Sequence, residues 1–269
     1  MPWRRATNCA IAPCCDHKCI GLRDPRNTCA YQAYVQSNLA TLRAMSSVQA
    51  VPLTARCAKI LATREHAVVG VSAFNGFFTL RAIRSLLEWA TRTFTGVHVL
   101  VPGVELAGTL IARGLPSGAA LIKARSAANN TRNRVIRVLD GMDAANATVF
   151  DWNELAGNRP YRRSRRELER LVARDPAFRE RCVAAVLPIV GGQELTPEQA
   201  ANALPFLLAE LPLMMNSPAI LRTGSSVFCH PEPMPMVGEL YAGSLPVSRS
   251  PHQGFVSPRL GPERPADPA

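Results

Sequence analysis

The stretch from His66 to Phe78 limits the fold more than any other part of the chain. Ala67-Val68-Val69-Gly70-Val71 is a short apolar run with no charged or polar side chain. Such a run fits a strand buried on both faces, as in a parallel sheet, and parallel strands are joined through crossovers that are usually helices. The run then breaks into small and polar residues, Ser72-Ala73-Phe74-Asn75-Gly76, and leads directly into an amphipathic segment. Ser72 and Asn75 are therefore expected at the carboxyl end of a strand, the edge where open α/β sheets bind ligands. On spacing alone, a turn that caps the next helix is favoured over a nucleophilic serine.

The following segments alternate in the same way. Thr79 to Phe94 places Ile83, Leu86, Leu87, Ala90 and Phe94 at helical spacing. Val97 to Val101 reads as a second strand, which completes a βαβ unit with an expected right-handed crossover. Helices are expected over Glu105 to Arg113 and Ala119 to Gly141, and further strands over Ala147 to Phe150 and Ser225 to Cys229. Thr196-Pro197-Glu198-Gln199 has the composition of a capped helix start. Phe206 to Met215 is apolar except for Glu210, an isolated acid that needs either water or a cationic partner. The alternation predicts an α/β sheet with helices on both faces.

The chain has 269 residues, 47% of them apolar, enough for one large domain or two small ones. The expected organisation is an N-terminal disordered extension over 1–50, with at most one weak helix over Thr28 to Met45, a folded domain over 51–256, and a disordered Pro-rich tail over 257–269. Five of the eight cysteines (Cys9, Cys14, Cys15, Cys19 and Cys29) fall in the extension. Cys14-Cys15-Asp16-His17-Lys18-Cys19 looks like a metal cluster but lacks a second pair at finger spacing, so no metal is expected. No apolar run approaches a transmembrane length and no secretory core follows the basic start, so a cytoplasmic protein without a membrane partner is expected.

The formal net charge is +11. The predicted helix over Ala119 to Gly141 carries Lys123, Arg125, Arg132, Arg134 and Arg137 against a single acid, Asp140. A merely solvated helix face normally mixes signs, so this helix points to a polyanionic partner. The second basic region, Arg159 to Arg174, is interleaved with Glu167, Glu169 and Asp175 and reads as an ordinary charged helix surface, or as an extension of the first patch.

Dinucleotide and P-loop glycine patterns are absent, as is a His-Glu-x-x-His zinc pair. Ser72 lacks the glycine two residues on that marks a hydrolase elbow. The His-x-Gly-His signature of class I aminoacyl-tRNA synthetases is missing too. Any chemistry must then use a substrate that arrives already activated; the other option is simple binding.

Taken in order, several pieces resemble the tRNA-dependent cyclodipeptide synthases, from about Val51 to Phe255. They are Cys57; His66 to Asn75; Val97-His98-Val99-Leu100-Val101-Pro102; the basic helix with Arg132-Asn133-Arg134; and Asp151-Trp152. The later ones are Glu210-Leu211-Pro212, Ser217-Pro218-Ala219-Ile220-Leu221, Ser225 to Cys229 and Gln253-Gly254-Phe255. The resemblance implies a Rossmann-like parallel sheet similar to the catalytic domain of class I aminoacyl-tRNA synthetases. It implies two aminoacyl-tRNAs used in turn, without ATP or another cofactor, by a monomer. A serine takes the first aminoacyl group as an ester, the second substrate yields a dipeptidyl-enzyme, and this cyclises to a 2,5-diketopiperazine.

By position the resemblance makes Ser72 the nucleophile, with Gly70 and Asn75 shaping its surroundings. Glu210 holds the substrate ammonium. Val68, Gly70, Leu213 and Phe228 line the first aminoacyl pocket, and Lys123, Arg125, Arg132, Arg134 and Arg137 contact tRNA. The family usually has tyrosine where this chain has Phe206 and His230. With Asn75, His230 and Pro231 the chain matches neither of the family's two subgroups. Histidine at 230 can relay protons near neutral pH. The alternative is a weakly active or inactive tRNA-binding member of the same fold.

Overall fold

The computed structural model describes residues 48–142, 144–191 and 195–261. The N-terminal cysteine cluster and the helix expected over Thr28 to Met45 lie outside these residues. In chain order the elements are β1 (Val48–Pro52), α1 (Ala55–Thr63), β2 (His66–Gly70), α2 (Leu80–Thr93), β3 (Gly96–Leu100), α3 (Leu106–Ala112), α4 (Ser117–Asp140) and β4 (Ala147–Phe150). There follow α5 (Arg159–Arg174), α6 (Pro176–Val190), the short α7 (Pro197–Ala200), one 3₁₀ turn, α8 (Leu204–Leu221), β5 (Ser226–Cys229), α9 (Pro235–Ala242) and β6 (Gln253–Leu260).

The six strands form one sheet in the order β1-β6-β5-β2-β3-β4. β2 is buried along its whole length because it has a parallel neighbour on each side, with Val68 opposite both His98 and Phe228. Alternate residues of the central strands enter two different cores. Val68, Leu100, Phe228 and Phe255 pack with α3, α5, α6, α8 and α9 on one face. Ala67, Val69, Val97, Val99, Val227 and Cys229 pack with α2 on the other. α4 contributes Ala120 and Ala124 to the first core and Val135 and Val138 to the second. This is the expected α/β sheet with helices on both faces.

Three features differ from the sequence expectations. The sheet is mixed: β1 runs antiparallel to β6, while the other pairs are parallel. The ordered fold also begins before residue 51 and continues past 256, because Val48 pairs with Leu260 and Val51 with Ser257. The 257–269 tail therefore starts inside a strand. Pro258 hid that strand from a reading of composition. β6 pairs with β5 only through Val256, so at Pro258 one side of the strand is open and a missing N–H is tolerated. Finally, Pro197–Leu221 is a helical run of 25 residues, long and apolar enough to cross a membrane by length and composition only, although 78% of its apolar window is buried inside the fold.

That run begins with the expected capping box between Thr196 and Gln199. Pro212 and Pro218 lie inside α8, and Asn216 leaves helical geometry at φ −158° and ψ 51°. Pro218 has no N–H to offer the Met214 carbonyl; the Tyr241 hydroxyl donates to it instead, at 3.1 Å. The Ser217 amide freed at the kink donates to buried Gln253 Oε1 at 2.7 Å. Long-range partners from α9 and β6 thus hold a helix that its prolines would otherwise break.

Candidate active site

Ser72 lies just past β2, and His230 just past the neighbouring strand β5. Parallel pairing of Val69 with Cys229 brings the two strand ends together. Ser72 Oγ is 3.3 Å from His230 Nε2. His230 Nδ1 is 2.9 Å from the carbonyl oxygen of Glu232. The Glu232 amide approaches the same nitrogen only at 3.4 Å. A carbonyl can only accept, so the shorter carbonyl contact places the proton on Nδ1 and leaves Nε2 bare toward the serine hydroxyl. Burial also holds the imidazole below its ordinary pKa, so it is neutral at pH 7. The arrangement sets a serine hydroxyl beside an imidazole nitrogen whose tautomer is set by a third group, a geometry that can activate a serine.

The ring is held from several sides. Phe78 packs against it at a centroid distance of 5.7 Å. A β-carbon at Gly70 would come within 3.2 Å of the Phe228 ring and 3.6 Å of His230 Cδ2, so glycine leaves the space that both rings need. Asn75 builds the turn below: its Oδ1 accepts from the Phe77 amide at 2.8 Å, and its carbonyl accepts from the Phe78 amide at 3.1 Å.

The pair opens into a cavity of about 400 Å³. Phe206, Glu210 and Met214 line it from successive turns of one face of α8. Leu106 and Thr109 of α3, Val237 of α9 and Phe255 of β6 complete much of the wall. Glu210 is only 8% exposed, and burial pushes its carboxyl up to about 7, with no charge among the described residues offsetting the shift. An acid in such a setting suits a cationic ligand group. Tyr161 of α5 fixes the backbone beside it by donating to the Ala209 carbonyl at 2.9 Å.

Ser72, Asn75, Phe206, Glu210 and His230, all expected at the site, share this one cavity. The four expected pocket residues do not line it. Val68, Gly70, Leu213 and Phe228 are fully enclosed in the core, and Phe228 stacks on Phe255 at 6.0 Å, with Phe255 forming the wall. The lining residues of α3, α6 and α9 were not foreseen. Of the missed residues only Met214 had a usable sequence signal, its spacing of four from Glu210.

The five basic residues of α4 separate into two kinds. Arg132 is paired with Asp151 at 3.3 Å and with Glu154, which ties α4 to the loop after β4. Arg134 donates to the Phe78 carbonyl at 3.1 Å and so supports the ring beside His230. Both are half-buried, and those contacts already use their guanidinium groups. Lys123, Arg125 and Arg137 are exposed.

The cyclodipeptide synthase family model matches residues 48–257. The chain belongs to the cyclodipeptide synthase family. It is 28% identical over 213 residues to the cyclo(L-leucyl-L-leucyl) synthase of Bacillus subtilis, covering 76% of this chain and 86% of that protein. It is 29% identical over 217 residues to the cyclo(L-tyrosyl-L-tyrosyl) synthase of Mycobacterium tuberculosis, covering 77% and 75%. A solved Mycobacterium tuberculosis structure, described as relating cyclodipeptide synthetases to type I tRNA synthetases, superposes with a TM-score of 0.74 at 26% identity, over 81% of this chain and 95% of that one. Within this synthase family fold, the Ser72–His230 pair and Glu210 face one cavity.

Proposed function

We propose that this cyclodipeptide synthase joins two aminoacyl groups, delivered as aminoacyl-tRNAs, into a 2,5-diketopiperazine through esters on Ser72 and without ATP. The observation that carries the reading is the bare Nε2 of His230 facing Ser72 Oγ at the mouth of a cavity that also holds Glu210.

His230 takes the Ser72 proton as Oγ attacks the first aminoacyl ester, then returns it to the departing tRNA hydroxyl. The amine of the Ser72-bound aminoacyl group attacks the second ester, forming the peptide bond; the proton this amine loses passes to the departing hydroxyl of the second tRNA. The free amine of the dipeptidyl group then attacks the Ser72 ester; His230 takes the proton that amine loses and hands it to Oγ as the ring closes. Glu210 holds each α-ammonium and, with a pKa of about 7, also accepts the proton that must leave before the amine can attack. The acyl donors arrive activated, which agrees with the absence of ATP-binding patterns. Leu106, Phe206, Met214, Val237 and Phe255 favour apolar aminoacyl side chains.

The test is incubation with a mixture of charged tRNAs, mass spectrometry for cyclic dipeptides, and trapping of a labelled aminoacyl ester. The reading expects a diketopiperazine and a label lost in Ser72→Ala. Unchanged yield from Ser72→Ala overturns the mechanism. Phe206, which offers the ammonium no hydroxyl, favours a second reading, a weakly active tRNA-binding member. That reading predicts tRNA binding with no labelled ester.

A further inference from the structure

α5 carries an arginine stripe that the site does not use. Arg159, Arg163, Arg166, Arg170 and Arg174 follow one another at spacings of three or four residues. At about 100° per residue they fall within roughly 80° of the helix surface and run for about 23 Å along it. All five are exposed. None has an acidic partner among the described residues; Glu169 is taken by Arg165, and Glu167 lies at the margin of the stripe. Arg170 Nε donates only to the Arg166 carbonyl, at 3.1 Å. Like charges four residues apart oppose helix formation, and a face serving only solubility interleaves acids to avoid that.

The other side of α5 is anchored to the catalytic core. Tyr161 reaches the Ala209 carbonyl beside Glu210, Arg165 pairs with Glu105 at 3.3 Å, and Trp152, before the helix, packs edge-on to Phe206 at 5.3 Å. The stripe is therefore a rigid outer surface on a helix whose inner surface supports the cavity. A nucleic-acid strand places one charge about every 3.4 Å along its axis, so a stripe of this length faces about six phosphates.

We propose that the α5 stripe is a docking surface for the phosphate backbone of the tRNA, separate from the basic residues of α4. The proposal rests on the tRNA-dependent reading above. Each arginine acts as a phosphate contact, without base readout, so the surface holds both substrates alike whatever amino acid they carry.

The experiment uses the full chain in three forms. They are wild type, a stripe variant with Arg159, Arg163, Arg166, Arg170 and Arg174 all changed to Gln, and a control with Lys59, Arg84, Arg92, Arg179 and Arg259 changed to Gln. Both variants lose the same charge from exposed positions, and thermal unfolding checks that each is folded. Binding of total tRNA is measured against salt, along with binding to vesicles containing phosphatidylserine. The stripe variant is expected to lose tRNA affinity by about tenfold or more, and the slope of log K against log salt to fall by about four, near one unit per lost phosphate contact. KM for aminoacyl-tRNA rises while kcat is kept. Equal weakening of the two variants reduces the stripe to net charge and overturns the proposal. So does stripe-dependent binding to vesicles but not to tRNA. Wild type that neither binds tRNA nor releases a cyclic dipeptide overturns the functional reading as well, whereas an active wild type with an unaffected stripe variant overturns the stripe alone.

Discussion

The same two strands hold a serine–histidine pair at each end. At the amino end, where β2 starts with His66 and β5 with Ser226, His66 Nδ1 lies 2.8 Å from Ser226 Oγ, and its Nε2 lies 2.8 Å from His98 Nδ1. Beside them Ser225 donates to Glu65 at 2.8 Å and meets Thr63 Oγ1 at 2.9 Å. At the carboxyl end Ser72 and His230 are 3.3 Å apart and open into a cavity with a buried acid. Both ends bring serine to imidazole. The amino-end pair is short, closed and saturated, and it fastens strands. The carboxyl-end pair is longer, keeps a free acceptor nitrogen, and has room for a substrate. Residue types alone do not separate the two; satisfaction and access do.

The sharpest way to break this contrast is to remove each serine in turn. Ser72→Ala is expected to cut cyclic dipeptide formation a thousandfold or more with unchanged stability. Ser226→Ala is expected to keep the turnover of folded enzyme. If the effects on turnover were reversed, the assignment of the two ends would be wrong.

His230→Ala is expected to lower turnover by about 10² to 10⁴, the usual range for a positioned base. His66→Ala should act on folding instead. Rates at fixed folded concentration, with Tm alongside, distinguish them.

The two ends should also respond oppositely to pH. Burial, with His98 adding to it, lowers the His66 pKa from 6.5 to about 4. The folded state then binds fewer protons than the unfolded one, so stability is full above pH 6.5 and falls as pH drops toward 4, by on the order of 3 kcal/mol. Glu210 is raised from 4.5 to about 7, so its cost is absent below 4.5 and complete above 7, again on the order of 3 kcal/mol. Glu210→Gln should therefore stabilise the protein at pH 8, uncover the acid limb of His66, and abolish the fall in kcat/KM below pH 7 along with most of the activity. Denaturant titrations from pH 4 to 8 measure this; a variant no more stable than wild type at pH 8 would contradict it.

The smallest expected effect is the stability loss in Ser226→Ala. It removes one buried hydrogen bond and leaves His66 Nδ1 without its partner, about 1 to 3 kcal/mol. The midpoint of urea unfolding reports it.

The two basic helices contain a similar contrast. The sequence favoured α4 as the polyanion face because its acids are few. Yet Asp151 and Glu154, from outside the helix, take up Arg132, and the Phe78 carbonyl takes Arg134. α5 looked ordinary because acids are interleaved in its sequence. Winding at 3.6 residues per turn moves Glu169 and Asp175 off the arginine stripe and leaves Glu167 at its edge.

Much of the candidate site, as the cavity gathers it, was legible before the fold was known. Ser72 follows a run that only a buried strand explains, and Glu210 breaks an apolar helix. The pocket wall was not readable. Its residues come from α3, α6, α8, α9 and β6, and short-range periodicity carries no record of which distant elements meet. Val68 and Phe228 were expected in the wall; they share the face of the sheet that carries Phe255 but are fully covered by neighbouring side chains, with Phe228 stacked against Phe255. The edge strands escaped for a similar reason, since Val48–Pro52 and Gln253–Leu260 are strands because each supplies the other's partner across the whole chain.

By itself the sequence determined the alternation of strands and helices, the strand end that presents Ser72, and the lone acid in α8, because apolar period and turn residues act locally. Only the tertiary structure decided that His230 carries its proton on Nδ1, that Phe255 and not Phe228 forms the wall, and which arginines remain uncompensated. Each of those depends on a partner brought from far along the chain, and a hydrogen bond, a cavity wall or a charge pair exists only once that partner is in place.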